Sequence, residues 1–428
     1  MFTRRTALKS LAGVGAVAAM PAMAEPVNPA AIPEGGAVSV RDKGVRGDGE
    51  RHEAAALQDI LDETADKGGG AVIMPPGRYI LEKSLLIPSA VHLIGHGMAT
   101  ILTGYRPDGV NGYALLANQG IVTAEGYEGA GGFSVRNLAI DSPRTNGIVL
   151  VHAQNGYFSH IYGVDAHHHH FDIAGSRNIV TENLFLTGRS GTAPYQIDGS
   201  PYNNNIWDGE TNVAPIRDET PNDGIFLSNS VIRPTNRPNH GIHLHRQGGK
   251  NIFVHNVLIE HLENGVYRDA DCGREDVFIS NVVIRDMSNH ALNFRPTDTP
   301  DRRVTFENIS AVNCGDEAAI DYHGCRNLAI NGATIEQIDG DGVRLRDVDT
   351  CNVSGLTVWG RGSGAAVRLA ACKNISLSTL TARNTGETIH MDGCANVRYS
   401  GAFALDEDGG AIPVNITGES GLVPWETS

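Results

Sequence analysis

His243 and His245, Tyr267 and Asp269, Asn293 and Arg295, Asp321 and His323, and Arg344 and Arg346 are pairs of polar residues, each separated by a single residue. Arg368 follows in the position of Arg344. The pairs recur at intervals of about two dozen residues, a spacing typical of repeat architectures. Nearly all are titratable, aromatic or strong hydrogen-bond donors, and none is Lys or Ser. Two chemistries fit such a set. One is β-elimination beside a carboxylate, which needs a cation, a base and an acid. Arg295, Arg344 and Arg346 are candidate cations that can grip a carboxylate through two bonds. His245, His323 and Tyr267 are candidate base and acid, with His243, Asn293 and Arg368 as further binding groups. The other chemistry is acetal hydrolysis by two carboxyls, Asp269 and Asp321. Two strand spacings, roughly 9.6 Å, would separate these, near the upper end of an inverting pair and too far for a retaining one. A C5-epimerase would share the elimination machinery. The plain structural alternative is a polar sheet face with cross-strand charge pairs, Asp321 against Arg295 or Arg344.

The positioning elements follow from two alternating signatures. The first is a strand carrying Asn before an apolar tail, as in Val135-Arg136-Asn137-Leu138, Leu227-Ser228-Asn229-Ser230-Val231 and Val254-His255-Asn256-Val257. The second is a Gly- or Ala-opened strand that runs on to another Asn. Asn155, Asn178, Asn251, Asn327, Asn352, Asn374 and Asn396 end these units and are expected to stack in a ladder, since Asn tolerates tight turns. Strand after strand at this period, with almost no helical pattern, predicts an all-β fold, a right-handed parallel β-helix. Within each Gly-opened strand the apolar residues alternate with the polar pairs. Ile242 and Leu244 therefore point inward while His243 and His245 point outward. Arg268 interrupts that alternation. The stretch from Asn178 to Asn251 is anomalously long and must hold about two coils plus a polar excursion near 192–223, whose Tyr195, Tyr202 and Trp207 could wall a groove.

The ends are distinct. Arg4-Arg5, an apolar run from Leu11 to Met20 and Ala22-Met23-Ala24 have the order of a signal peptide of twin-arginine type. The expected organisation is a signal over 1–24, a linker over 25–36, an N-terminal cap with the first coils over 37–132, the β-helix over 133–400 and a C-terminal cap or tail over 401–428. Glu53 to Lys67 has an apolar helical face of Ala56, Leu57, Ile60 and Leu61 and reads as a capping helix. A chain of this type is expected in the periplasm or secreted. None of the six cysteines forms a CxxC pair, and Cys325, Cys351, Cys372 and Cys394 are expected as a buried thiol stack. The net charge of −15 argues against nucleic acid as a partner. No segment reads as a membrane span, no metal site or cofactor is assigned, and the oligomeric state is open. Calcium could occupy the acidic turns Asp269-Ala270-Asp271 with Glu275-Asp276, or Asp339-Gly340-Asp341. His167-His168-His169-His170 should send two of its four rings inward or into a turn.

Gly68 through Tyr79, continuing to Val91-His92-Leu93-Ile94-Gly95-His96-Gly97, resembles the opening of the pectate-lyase-like β-helix superfamily. The resemblance implies the fold and sugar polymers as substrates, but not one reaction. Tyr162-Gly163-Val164-Asp165-Ala166-His167 is similar to the Tyr-Gly-Phe-Asp-Pro-His motif of alginate epimerases, departing at the Phe and Pro positions. The polygalacturonase catalytic set is not found. The expectation is an exported enzyme acting on an acidic, uronate-containing polysaccharide, as a lyase, an inverting hydrolase or an epimerase. A non-catalytic carbohydrate-binding envelope protein is the competing reading.

Overall fold

The computed structural model describes residues 36–104, 113–199, 205–246, 248–269, 273–315, 317–406, 410–412, 414–417 and 422–424. The signal segment, Tyr202, Asp271 and Cys272 lie outside them. The described chain is mostly strand, wound as a parallel β-solenoid of about 14 turns. Helix α1 (Ala54–Asp66) buries Leu57, Ile60 and Leu61 in the same core as the first coils.

One sheet matters for function. Its strands are β1 (Asn146–Val151), β2 (Phe171–Ala174), β3 (Tyr195–Asp198), β4 (His240–His245), β5 (Asn264–Arg268), β6 (His290–Phe294), β7 (Ala318–Asn331), β8 (Asp341–Gly360), β9 (Ala365–Ala370) and β10 (Glu387–Asp392). Each pairs in parallel with the next in one unbroken register. Val149 lies beside Asp172, then Gln196, His243, Tyr267, Asn293, Asp321, Arg344, Arg368 and His390. The alternation holds throughout, because the residues between these outward positions are core: Ile242, Leu244, Leu292, Phe294, Ile320 and Tyr322 are all buried.

Arg268 obeys the alternation, although it is charged. It takes the inward place between Leu244 and Phe294 and is fully buried. Asp301 lies 3.1 Å away and is equally buried. Tyr322 donates to the same carboxylate at 2.5 Å, and Arg268 also donates to the carbonyl of His323. A charge is tolerated here because it is paired and hydrogen-bonded.

The corners are asparagine ladders. Asn137, Asn183, Asn229, Asn256, Asn281 and Asn308 all sit at positive φ, as do Asn155, Asn178, Asn251, Asn327, Asn374 and Asn396. This left-handed conformation is cheapest for Gly and Asn. Side-chain amides bond along the stacks: Asn256 donates to Asn229 at 2.8 Å and Asn396 to Asn374 at 2.7 Å. Asn352 is a correction. Register places it beside Ala329 and Ser376, and Thr350 takes the ladder position at φ 67°. Cys351 moves with it, to lie between Leu328 and Ile375, so Val348 fills the column of Cys325, Cys372 and Cys394. The described cysteines are all free and buried.

The excursion is also redrawn. Tyr195 is not a groove residue; it stacks in the core on Phe171, because β3 is an ordinary coil strand. The part after it forms an arm that returns over the N-terminal coils. Its short antiparallel pair, Ile206–Trp207 with Asn212–Val213, covers the outward apolar residues Ala114, Ala117, Val149, Val151 and Ala174. Trp207 packs against Tyr113 rather than lining a groove.

Candidate functional site

The polar face begins where the arm's cover ends, and it has three parts. The first is a network that runs from β2 to the residue after β5. Gln196 donates from Nε2 to Asp172 at 3.3 Å and to Asp198 at 3.4 Å. Its Oε1 accepts from His243 Nδ1 at 3.1 Å. Asp198 accepts from His245 Nδ1 at 3.2 Å. The Nε2 atoms of both histidines turn to Asp269, each 3.2 Å from one of its carboxylate oxygens. Asp172, Gln196, Asp198 and His243 are buried. Burial pushes the His243 imidazole below its ordinary range, against an upward pull from Asp269. Burial pushes the Asp269 carboxyl up, but His243 and His245 together hold it below the usual carboxylate range. His169, of the histidine run, is buried behind this network and pushed down to about 3 by burial. His170 is buried too, so two of the run's four rings leave solvent.

The second part is a cleft of about 670 Å³ over β4 to β7. Tyr267, Asn293, Arg295, Asp321 and Arg346 line its floor, with Asn239, Glu263, Asn289 and Glu317 at the strand starts. His240, Asn264, His290 and Pro296 complete the lining. Tyr267 stacks flat on His240, with ring centroids 3.9 Å apart at 4°. His290 donates from Nδ1 to the carbonyl of Ala318 at 2.7 Å, which leaves Nε2 as a lone-pair nitrogen. Arg295 is exposed and makes no ion pair among the described residues.

The third part is a block of ion pairs. Arg346 holds both oxygens of the buried Asp321 at 2.8 Å. Arg344 and Arg368 share Asp341 at 2.9 and 2.7 Å, and Arg344 also reaches Glu317. Asp339 is taken by Arg361. His323 turns from the cleft, with Nε2 2.5 Å from Asp347.

The structure therefore brings all eleven sequence-derived residues to one face but divides their surroundings. His243, His245 and Asp269 form the network. Tyr267, Asn293, Arg295, Asp321 and Arg346 line the cleft. Arg344, Arg368 and His323 are engaged by acids of the protein itself. Sequence reasoning placed Asp172 on the outward face and Asp198 in the excursion but joined neither to the network, and it missed Gln196, Asp347 as the partner of His323, and His240 and His290 in the cleft lining. The last two lie three residues before the outward column on their strands, a recurrence that could have marked them.

Residues 37–212 match the family of rhamnogalacturonase A/epimerase, pectate lyase-like proteins. The plasmin and fibronectin-binding protein A of Streptococcus pneumoniae is 27% identical over 177 residues, 36% of this chain and 24% of that protein. The mannuronan C5-epimerase AlgE6 of Azotobacter vinelandii is 29% identical over 161 residues, 36% of this chain and 17% of the epimerase. The chain thus spans less than a quarter of these relatives. Among solved structures, the S. pneumoniae adhesin PfbA superposes with a TM-score of 0.57 at 14% identity, over 92% of this chain and 93% of the adhesin. An exopolygalacturonase of Thermotoga maritima gives 0.51 at 11% identity, over 87% and 92%. These likenesses share the fold. No helix among the described residues is long and apolar enough to cross a membrane.

Proposed function

We propose that this chain, a pectate-lyase-like right-handed parallel β-helix, is a carbohydrate-active enzyme that acts on an acidic, uronate-containing polysaccharide by abstracting the C5 proton and eliminating the 4-linked sugar. The observation that carries this is the unpaired, exposed Arg295 on the cleft floor, where Tyr267 and His290 supply the proton carriers. Arg295 takes the sugar carboxylate and stabilises the charge that grows on it as the proton leaves. His290 Nε2, unprotonated when Nδ1 carries the hydrogen, acts as base, and the Tyr267 phenol protonates the leaving oxygen. The exposed Asn239 and Asn289 offer amides to sugar hydroxyls, while Asn264 and Asn293 are bonded to each other beneath them.

Hydrolysis fits less well. One of its two carboxyls must be protonated to act as acid. Asp321 accepts two bonds from Arg346, and Asp269 is held below the usual carboxylate range. Arg346 thus occupies both Asp321 oxygens, which leaves neither free to serve the scissile bond. Epimerisation remains the second reading, favoured by the stretch shared with a mannuronan C5-epimerase. It differs only in returning a proton to the opposite face of C5. A non-catalytic surface role, suggested by the likeness to an adhesin, would use the cleft and its arginine for binding alone and gives no part to Tyr267 and His290 as proton carriers.

The test is incubation of the purified protein with a panel of polyuronates and neutral glycans. Elimination gives ultraviolet absorbance from the unsaturated uronate together with new reducing ends. Reducing ends without absorbance would replace the lyase with a hydrolase. Altered C5 configuration by proton NMR with neither signal would make it an epimerase. Binding without any product would leave an adhesin-like solenoid.

A further inference from the structure

The network at the head of the cleft has an internal contradiction that a cation would resolve. His245 Nδ1 must donate to Asp198, a carboxylate, and His243 Nδ1 must donate to the Gln196 carbonyl oxygen. Gln196 cannot turn its amide round, because its nitrogen is already aimed at Asp172 and Asp198. In its neutral form each imidazole would therefore present a bare Nε2 lone pair. Those lone pairs face the two oxygens of Asp269, at 3.2 Å each. Acceptor faces acceptor. His243 Nε2 is buried with no hydrogen-bond partner, and the side chain is only 7% exposed. One atom each from His243, His245 and Asp269 lie within 4.8 Å of one another.

We propose that His243 Nε2, His245 Nε2 and an Asp269 carboxylate oxygen bind a divalent first-row transition-metal ion, with zinc as the type. The spacing suits such an ion. Ligands about 2.0–2.1 Å from a tetrahedral centre lie roughly 3.4 Å apart; each imidazole Nε2 is 3.2 Å from one of the two Asp269 oxygens, so an ion between the rings is within reach of the carboxylate through either oxygen. Two imidazoles and one carboxylate exclude calcium and magnesium, which take oxygen ligands. Three protein ligands leave a coordination position open, as in catalytic rather than structural sites. The outer partners are also of the kind that metal-bound histidines have: a carboxylate or carbonyl on the second ring nitrogen, fixing tautomer and ring plane. Gln196 and Asp198 are thus positioning residues, and their coil gains a purpose. The geometry is independent of the sugar chemistry proposed for the neighbouring cleft.

The experiment is equilibrium dialysis of the full chain, stripped with chelator, against Zn²⁺ alone and Co²⁺ alone. Metal content is measured directly, and the visible Co²⁺ spectrum reports the ligand field. The expected result is one chelator-removable ion with a tetrahedral or five-coordinate Co²⁺ band. That ion should survive in the His167→Ala/His168→Ala double variant, since the histidine run is the competing ligand source. His243→Ala, His245→Gln and Asp269→Asn should each weaken binding at least 100-fold. Asp198→Asn should weaken it about 10–100-fold and shift the Co²⁺ band, an effect that mere loss of fold would not give. Far-ultraviolet circular dichroism identifies any variant that fails to fold, and the other two ligand variants then decide. Stoichiometric binding that persists in folded Asp269→Asn and His245→Gln would overturn the site. So would loss of the ion in the His167/His168 variant. Failure to take up either metal, with both imidazoles doubly protonated by NMR at neutral pH, would show that protons bridge the network instead.

Discussion

Arg268 shows how much a single side chain can ask of the coils around it. Its charge is compensated inside the solenoid by Asp301, which also accepts from Tyr322. Removing one member strands the other. Arg268→Ala should cost about 3–5 kcal/mol, whereas replacing both charges by well-packed apolar residues should cost far less. Urea unfolding midpoints of the single and double variants check this. Arg295 has the opposite character, since nothing in the fold depends on its charge. Arg295→Ala and Tyr267→Phe should each lower kcat/KM on the responsive polyuronate by about 10²–10⁴-fold, Arg295→Ala with unchanged melting. Arg346→Ala is the contrast, because it leaves the buried Asp321 with only the longer contact to Arg344 at 3.8 Å and should lower stability as well as activity.

At the scale of the element, the corners and the strand phase do different work. Asn256 stands at φ 54° and bonds to Asn229. Asn256→Ala should lose about 1–2 kcal/mol, and Asn256→Gly should lose less, because Gly carries no Cβ into the left-handed region. Thermal unfolding of the pair separates conformational cost from the ladder bond. The turn entering β2 carries a pH dependence. His170 is pushed down to about 4 by burial. The unfolded chain, with an ordinary value of about 6.5, binds the proton first, so stability present above that value is lost as pH falls toward 4. The slope from this group is at most about 1.4 kcal/mol per pH unit. His170→Gln should flatten the stability curve in that window, as followed by denaturant melts at several pH values. The same element-level view explains what was legible. Period-two alternation fixed which side chains face out, and the register confirms every neighbour from His243 to Arg368. Gln196 and Asp198 escaped because their coil ends in no Asn and lies inside the long Asn178–Asn251 stretch. Arg268 looked like a phasing error because alternation reads polarity, and a buried ion pair contradicts polarity without changing direction. The pairing of Arg344 and Arg368 with Asp341 depends on coil contacts that no local pattern encodes. Asn352 misled because the stack can impose the corner even on a β-branched residue, here Thr350, for which positive φ is costly.

The described solenoid is a one-dimensional stack in which each coil chiefly touches the next, so its stability should be a sum of neighbour terms. The arm breaks that rule. From residues 205–222 it reaches back to coils far earlier in the chain: Trp207 exchanges bonds with Ser84, and Asn205 accepts from Ala114. Asp218 accepts from Gly126, and Tyr127 donates to the carbonyl of Pro221. Ile206 is the apolar anchor, seated on Ala114, Ala117, Val149, Val151 and Ala174. Those outward Val and Ala residues were themselves a sign that something must cover them, because an uncovered strand face would carry polar side chains. The arm therefore couples the N-terminal coils to the coil of Gln196 and Asp198, from which it springs. Ile206→Ala should weaken the docking by about 2–5 kcal/mol without touching a coil–coil interface. Trypsin should then cut after the exposed Arg217 well before the solenoid unfolds, whereas the unaltered protein should resist until global melting. Equal cleavage rates for the two proteins would mean that the arm is held by its hydrogen bonds alone and that its apolar seat contributes nothing to the coupling.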